Sequence, residues 1–381
     1  MVDTADRRPS VDLDLSLSRA FGDETIDIAD VEAVRMVLRG RSLIDVERLH
    51  FRSKEAVIQH LKLLCYDVTD PQDHYIVDSV MREAINHLKV QHGYSVPEEI
   101  ANFSDPTALF LWASDPDGPF FQPALMVLKV SHVIFHIRAR SLRHQLPVSD
   151  NELFNLARER VLAFGQVLRS SGVDLVNIEA GEKPRQSQIL KLLAKRQTLA
   201  AQLHDRIRFR IIIKNASDML PTLLLMTQKL FPPNYVVPDE SRNDLVSFKE
   251  MLEAMNQQHP ELESIRDALL RERSRTKSPF HNEFSHPDFR MINFVVDLPL
   301  RIDRYATRAS SAALNKFGRV VFTMAEFQVF DLDTFVSNEH GPGSHAHYKA
   351  RQRRAVLRRL VGNDAVESWC RPNIDTEPDE S

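Results

Sequence analysis

Residues 205–213 read DRIRFRIII, a run in which charged and apolar side chains alternate before the chain becomes wholly apolar. The pattern predicts a β-strand that opens with a carboxylate, Asp205. Because successive strand residues point to opposite faces, Arg208 and Arg210 share one face and Phe209 takes the other. This region of the chain is therefore expected to form a sheet.

A second strand, predicted at residues 325–330 from the sequence AEFQVF, carries Glu326 and Gln328 on one face. A carboxylate in an apolar strand is costly to bury unless a cation or a hydrogen-bond donor meets it. Two such carboxylates, Asp205 and Glu326, can hold a magnesium ion that positions phosphates for transfer. The simpler interpretation is that Asp205 caps its strand and that Glu326 lies on a solvated face.

The rest of the chain divides into a helical half and a mixed half. Between residues 28 and 145 apolar residues recur every three or four positions, which predicts helices. Beyond residue 150 helices alternate with strands, and the strands are predicted at residues 173–179, 205–213, 289–296 and 320–330. The predicted fold class is α+β, an N-terminal all-helical region followed by a mixed β-sheet flanked by helices.

The turn at residues 145–150 marks the predicted boundary, and Ser149 or Asp150 caps the helix that follows it. Neither end of the chain carries a chemical motif. We expect a helical domain of unassigned role at residues 1–150, with residues 1–10 disordered, a second domain at residues 151–362 and a tail at residues 363–381.

Composition argues against several classes of protein. The chain has 381 residues, and its 49 Lys plus Arg against 53 Asp plus Glu give no overall basic excess of the kind seen in non-specific nucleic-acid binders. Only Cys65 and Cys370 are present, too few for a disulfide framework, which favours a reducing compartment. The apolar runs are too short to span a bilayer, and residues 1–10 lack a signal-peptide core, so we expect a cytoplasmic protein without membrane contact.

Cations also gather on a helix predicted between residues 183 and 195. Lys183, Ser187, Lys191 and Lys195 follow one another at one-turn spacing, and such a stripe can contact consecutive phosphates. A solvated surface helix explains the same spacing.

Taken in order, these residues resemble the synthetase domain of the RelA/SpoT family, nucleotidyltransferase-like enzymes that make guanosine alarmones. The resemblance covers about residues 151–362. It implies that Asp205 binds Mg²⁺ and that Glu326 and Gln328 form the family's Glu-x-Gln strand. The residues that it assigns to ATP are Lys183, Arg185, Ser187, Lys191, Lys195 and Arg210.

The family's acceptor motif is Gly-Tyr-(Arg/Gln)-Ser-(Ile/Leu)-His, whose Tyr stacks on guanine, and the similar stretch here is DFRMIN at residues 288–293. Asp288, Phe289, Met291 and Asn293 stand where the family has Gly, Tyr, Ser and His. Phe289 keeps a ring that can stack on a base, but the hydroxyl is lost. The acceptor-binding residues implied by the resemblance are Phe289, Arg290, Asn293, Gln328, Tyr348 and Lys349.

The activity implied by the resemblance is Mg²⁺-dependent transfer of pyrophosphate from ATP to a ribose hydroxyl of GDP or GTP. Asp205 and Glu326 would hold the metal, and Glu326 can take the proton of the attacking hydroxyl. Arg185, Arg208 and Arg210 can stack on adenine or clamp phosphate, whereas Arg210 can equally form a structural ion pair. Two alternatives stay open: transfer to an RNA end or another acceptor, and a catalytically inactive nucleotide-binding module.

Two patterns in the helical half have simpler explanations. His132 and His136 lie one turn apart, which suits a shared metal, but no nearby Glu or Cys completes a set, so polar packing is predicted. Arg138, Arg140 and Arg143 can contact RNA, and a solvated helix end explains them equally well.

Overall fold

The computed structural model describes residues 13–21, 28–40, 44, 46, 49–182, 184–194, 207–246, 289–305, 311–340 and 345–361. Within these ranges helices precede and flank one five-stranded mixed sheet, which confirms the predicted α+β fold class. None of the helices in these ranges is both long and apolar enough to cross a membrane.

Helices occupy the described chain before the sheet begins. In order they are α1 (Leu13–Phe21), α2 (Ile28–Arg39), α3 (Lys54–Leu63), α4 (Pro71–His92), α5 (Glu98–Ala101), α6 (Thr107–Trp112), α7 (Phe121–Gln145) and α8 (Asp150–Ser170). The Asp70 side chain starts α4 by accepting hydrogen bonds from the backbone N–H groups of Gln72 and Asp73. Ser149 and Glu152 form a capping box at the start of α8, so Ser149 is the cap of the two that were predicted.

The mixed half supplies the sheet and its flanking helices. Its elements are β1 (Leu175–Glu182), α9 (Arg185–Ala194), β2 (Ile207–Ile213), α10 (Met219–Leu225), β3 (Arg242–Asn243), β4 (Ile292–Arg301), α11 (Ser311–Phe317), β5 (Val320–Asp331), α12 (Leu332–His340) and α13 (His345–Val361). The strand order is β1-β2-β5-β4-β3. Only β2 and β5 run parallel, and the other three neighbouring pairs are antiparallel.

Two strands differ in extent from their predictions. The first begins at Leu175 and runs to Glu182, later than predicted. The strand predicted at residues 289–296 begins pairing only at Ile292 and continues to Arg301. Its predicted start is wrong because the backbone of Phe289 to Met291 bonds to side chains and to the chain beside β3 rather than to a strand ladder.

One face of the sheet is apolar and packs against helices. Phe209, Phe327 and Phe294 form a stacked series across three strands, with ring centroids 5.4 and 5.6 Å apart. All three side chains are fully buried, and Phe209 lies on the face opposite Arg208 and Arg210, as predicted. Buried residues of the N-terminal helices and of the sheet belong to one continuous cluster.

Arg160 of α8 links the helices to the sheet through backbone carbonyls. Its guanidinium donates to the carbonyl oxygens of Leu63 at 2.7 Å, Leu230 at 2.6 Å and Pro299 at 2.6 Å. The first lies at the end of α3 and the last in β4, so one cation satisfies polar groups from both halves.

Candidate functional site

The second face of the sheet carries a row of polar side chains that runs across every strand. The register aligns Glu179 of β1 with Arg210 of β2, Arg210 with Gln328 of β5, and Gln328 with Asn293 of β4. Asn293 in turn pairs with Arg242 of β3. We call this set the polar row: Glu179, Arg210, Gln328, Asn293 and Arg242.

Glu326 lies in the adjacent row, beside Arg208. The Arg208 Nε donates to Glu326 Oε2 at 2.8 Å, and Gln328 Nε2 donates to Glu326 Oε1 at 3.1 Å. Only 9% of the Glu326 side chain is exposed, so the carboxylate is not on a solvated face. Glu326 and Gln328 share a face as predicted, and each carboxylate oxygen keeps one lone pair beyond these bonds.

Arg210 lies between Glu179 and Gln328 in the polar row. Its Nε donates to Gln328 Oε1 at 3.2 Å, and its Nη1 lies 3.4 Å from Glu179 Oε2. The ion pair considered for Arg210 from the sequence is therefore present. About 25% of the side chain is exposed, and these contacts use two of the five N–H donors of the guanidinium. The remaining donors suit a phosphate oxygen.

Asn293 holds an unused acceptor on the other side of Gln328. Its side chain is half-buried, and its Oδ1 has no hydrogen-bond partner among the described residues. A buried amide oxygen without a donor is unfavourable, because the desolvation of that oxygen is not compensated. The oxygen has almost no exposed surface, so a ligand N–H group could bond to it only after neighbouring side chains move.

Phe289 and Arg290 come directly before β4. Phe289 is half-buried and Arg290 is exposed. The guanidinium of Arg290 donates to the backbone oxygen of Asp244 at 2.9 and 3.2 Å. Arg290 thus bonds to the loop beside β3 rather than to a residue of the polar row.

Helix α9 carries Arg185 and Ser187 in its first turn and Lys191 one turn after Ser187. Arg185 is exposed and Ser187 half-buried. Helix α13, which contains Tyr348 and Lys349, packs beside α9, and Arg359 donates to the Leu193 carbonyl at 2.7 Å. The helix predicted to hold ATP phosphates is thus a neighbour of the helix with the Tyr-Lys pair. Lys183, Lys195 and Asp205 lie outside the described residues.

The predicted magnesium pair can be assessed at Glu326. Among the described residues no group of three or more Asp, Glu, His or Cys side chains could hold a metal ion together. Glu326 offers hard oxygen atoms with unused lone pairs on this second face of the sheet, which fits one ligand position of Mg²⁺. Its proposed partner, Asp205, is not in the described part of the chain.

The two histidines of α7 pack against each other and against neighbouring side chains, as predicted. The His136 ring stacks on Tyr235 at 5.1 Å, and its Nδ1 lies 2.9 Å from Asp297 Oδ2. The His132 ring meets that of His136 at 4.5 Å. Burial lowers the pKa of His132 to about 3, so its ring is neutral at physiological pH.

Two of the three arginines near the end of α7 are engaged in ion pairs. Arg138 contacts Glu83 at 2.5 Å and the Ser79 hydroxyl at 2.7 Å, and Arg143 contacts Asp150 at 2.9 Å. These contacts give the two arginines partners within the protein.

Sequence reasoning missed Glu179, Arg242, Asp244 and Asn338. Glu179 was predicted to end a strand but had no assigned role, and no periodic pattern marks the two-residue strand β3.

In comparisons with known proteins, no protein-family model matches this chain and no curated protein matches it.

Proposed function

We propose that this chain is a Mg²⁺-dependent pyrophosphotransferase that moves the terminal pyrophosphate of ATP to a ribose hydroxyl of GDP or GTP. The observation that carries the proposal is the polar row with Glu326 beside it. A sheet face that serves only packing is normally apolar, because buried charge and amide groups are costly. A sheet face that meets water also carries polar side chains in register, so the weight lies on Glu326, a carboxylate whose side chain is only 9% exposed.

Arg210 is proposed to contact the phosphates of ATP from the β2 side of the row. Arg185, Ser187, Lys183, Lys191 and Lys195 would bind the same phosphates from α9 and the chain around it. Cations in this position offset the charge that develops on departing AMP. Bond formation then depends on orientation, which rigid strands supply better than loops.

Glu326 is proposed as both metal ligand and proton acceptor, with Asp205 as the second ligand. When bound, Mg²⁺ would neutralise phosphate charge and orient the phosphates. The ribose oxygen forms a bond to the β-phosphorus, the bond from that phosphorus to the α,β-bridging oxygen breaks, and AMP leaves. The hydroxyl proton passes to the Glu326 carboxylate.

The acceptor nucleotide is proposed to bind at the β4 side of the row. Phe289 would stack on the base, and Asn293 Oδ1 would accept a hydrogen bond from the N–H groups that guanine carries on its pairing edge. Gln328, Arg290, Tyr348 and Lys349 complete the proposed acceptor set. The reaction would take place in the cytoplasm, where the product would be a guanosine alarmone of the stringent response.

The test is incubation of the purified protein with γ-labelled ATP, Mg²⁺ and, in turn, GDP, GTP or total RNA. We expect label on a guanine nucleotide, and its loss in Glu326→Gln and Asp205→Asn. The matched control is Glu159→Gln, which changes a surface carboxylate paired with Arg304 and keeps full transfer. Label on RNA alone would contradict the proposed acceptor, and no transfer to any acceptor would contradict catalysis.

A further inference from the structure

The three residues before β4 are held by side chains from two other elements. Asn338 of α12 makes two hydrogen bonds to the backbone of Arg290: its Nδ2 donates to the carbonyl oxygen at 2.7 Å, and its Oδ1 accepts from the N–H at 3.2 Å. Asn338 is 4% exposed. This amide thus makes the pair of bonds that a residue of a neighbouring strand makes in a sheet.

The loop at the end of β3 holds the same segment from another side. Asp244 Oδ2 accepts from the Met291 N–H at 3.2 Å and from Arg242 Nε at 2.6 Å. Arg242 Nη2 donates to the Phe289 carbonyl at 2.8 Å, and the Asp244 N–H donates to the Met291 carbonyl at 3.0 Å. Every backbone polar group from the Phe289 carbonyl to the Met291 carbonyl therefore has a partner.

This arrangement fixes the backbone that carries Phe289 without continuing the strand. If β4 began at Phe289, the backbone of residues 289–291 would bond to a neighbouring strand. Instead, side chains bond to this backbone and hold it beside the polar row, close to Asn293. Fixing a residue before a ligand arrives removes an entropy cost from binding. A fully satisfied network of buried polar groups holds a backbone in one conformation, and here Asn338 and Asp244 do so for residues 289–291.

We infer that Asn338, Asp244 and Arg242 are positioning residues for the acceptor nucleotide: they hold Phe289 where its ring stacks on the purine. The inference rests on the proposed function and deepens it. It assigns the selection of a planar base to residues 289–291, whose backbone is fixed by these side chains. ATP is proposed to bind at the other side of the polar row, near Arg210, so the two roles are separate.

The experiment is steady-state transfer with Asn338→Ala, with KM measured separately for GDP and for ATP. We expect the KM for GDP to rise about tenfold, because the variant loses two hydrogen bonds that order the backbone next to Phe289. The KM for ATP should stay within about twofold of wild type. Asn315→Ala, at an exposed asparagine bonded to Gln72, is the control and leaves both values unchanged.

A double-mutant cycle with Phe289→Leu tests whether Asn338 acts through the ring. In the Phe289→Leu background, Asn338→Ala is expected to change the KM for GDP by less than about twofold. A full tenfold effect in that background, or equal rises in both KM values, overturns the inference. Asp244→Asn, which keeps an acceptor for the Met291 N–H, is the milder variant to use where Asn338→Ala does not fold.

The outcomes separate the inference from the proposed function. A wild-type protein that transfers pyrophosphate, with Asn338→Ala and Asp244→Asn indistinguishable from it, overturns the inference alone. A wild-type protein that neither transfers pyrophosphate nor binds fluorescent GDP overturns both.

Discussion

Replacing Arg208 by methionine should destabilise the protein far more than replacing a surface arginine. The substitution removes the donor to Glu326 Oε2 and leaves a carboxylate that is 9% exposed with only the Gln328 amide as partner. Breaking a buried ion pair by removing one partner costs about 3–5 kcal/mol. Because about 25% of the Arg208 side chain is exposed, solvent screens the pair, and we expect a loss at or just below the lower limit of that range, about 2–3 kcal/mol.

The assay is urea unfolding at pH 7, followed by far-UV circular dichroism, with the slope of the transition checked for two-state behaviour. The double variant Arg208→Met with Glu326→Leu should lie within about 1 kcal/mol of wild type, because it removes both charges of this ion pair, and it should have no transfer activity. Arg304→Met, at a surface pair with Glu159, is the control and should leave stability unchanged. An Arg208→Met variant as stable as this control would refute the reasoning.

Three further predictions concern stability. Burial holds the pKa of His60 at about 4 and that of His132 at about 3, below the unfolded value near 6.5, so the unfolded chain binds more protons. As pH falls from about 6.5 toward 4, each histidine should therefore lower the free energy of unfolding by up to about 1.4 kcal/mol per pH unit. Urea unfolding at several pH values measures this, and a variant with both histidines replaced by Gln should show a weaker dependence of stability on pH. Gly165→Val should lower Tm and reduce the free energy of unfolding by about 2 kcal/mol, because even a Cβ there would lie 2.8 Å from Ile178 Cδ1. Adding Ile178→Val, which removes that methyl group, should recover part of the loss. Arg160→Met should cost about 3 kcal/mol in urea unfolding, since it removes the guanidinium donor of three carbonyl oxygens, of which the Pro299 oxygen keeps the Cys65 thiol at 3.5 Å. A loss below about 0.5 kcal/mol would contradict that role.

Local patterns in the sequence were sufficient to predict most of the strands and their faces. The alternation in residues 205–213 placed Arg208 and Arg210 opposite Phe209 because side-chain direction in a strand has a period of two. The start of α8 was also predicted, with Ser149 or Asp150 as the cap, because a cap depends on residues within one turn.

Contacts between distant segments were beyond this kind of reasoning. The bond from Arg208 to Glu326 joins residues 118 positions apart, and its register is set by packing of the whole sheet. The hydrogen bonds that fix the backbone next to Phe289 come from Asn338 in a helix and Asp244 in a loop, and neither residue lies in a periodic pattern. The predicted strand start at Phe289 failed because propensity alone does not reveal that side chains replace the ladder.

The products formed from ATP test the central claim most directly. Pyrophosphate transfer leaves AMP, whereas phosphate transfer or hydrolysis of the terminal phosphate leaves ADP, and nucleotide transfer releases free pyrophosphate. Ion-exchange chromatography of a reaction with ATP, Mg²⁺ and GDP should therefore show AMP and a pyrophosphorylated guanine nucleotide in equal amounts, both absent with Glu326→Gln. ADP or free pyrophosphate as the product, or no product with the wild-type protein, would contradict the account.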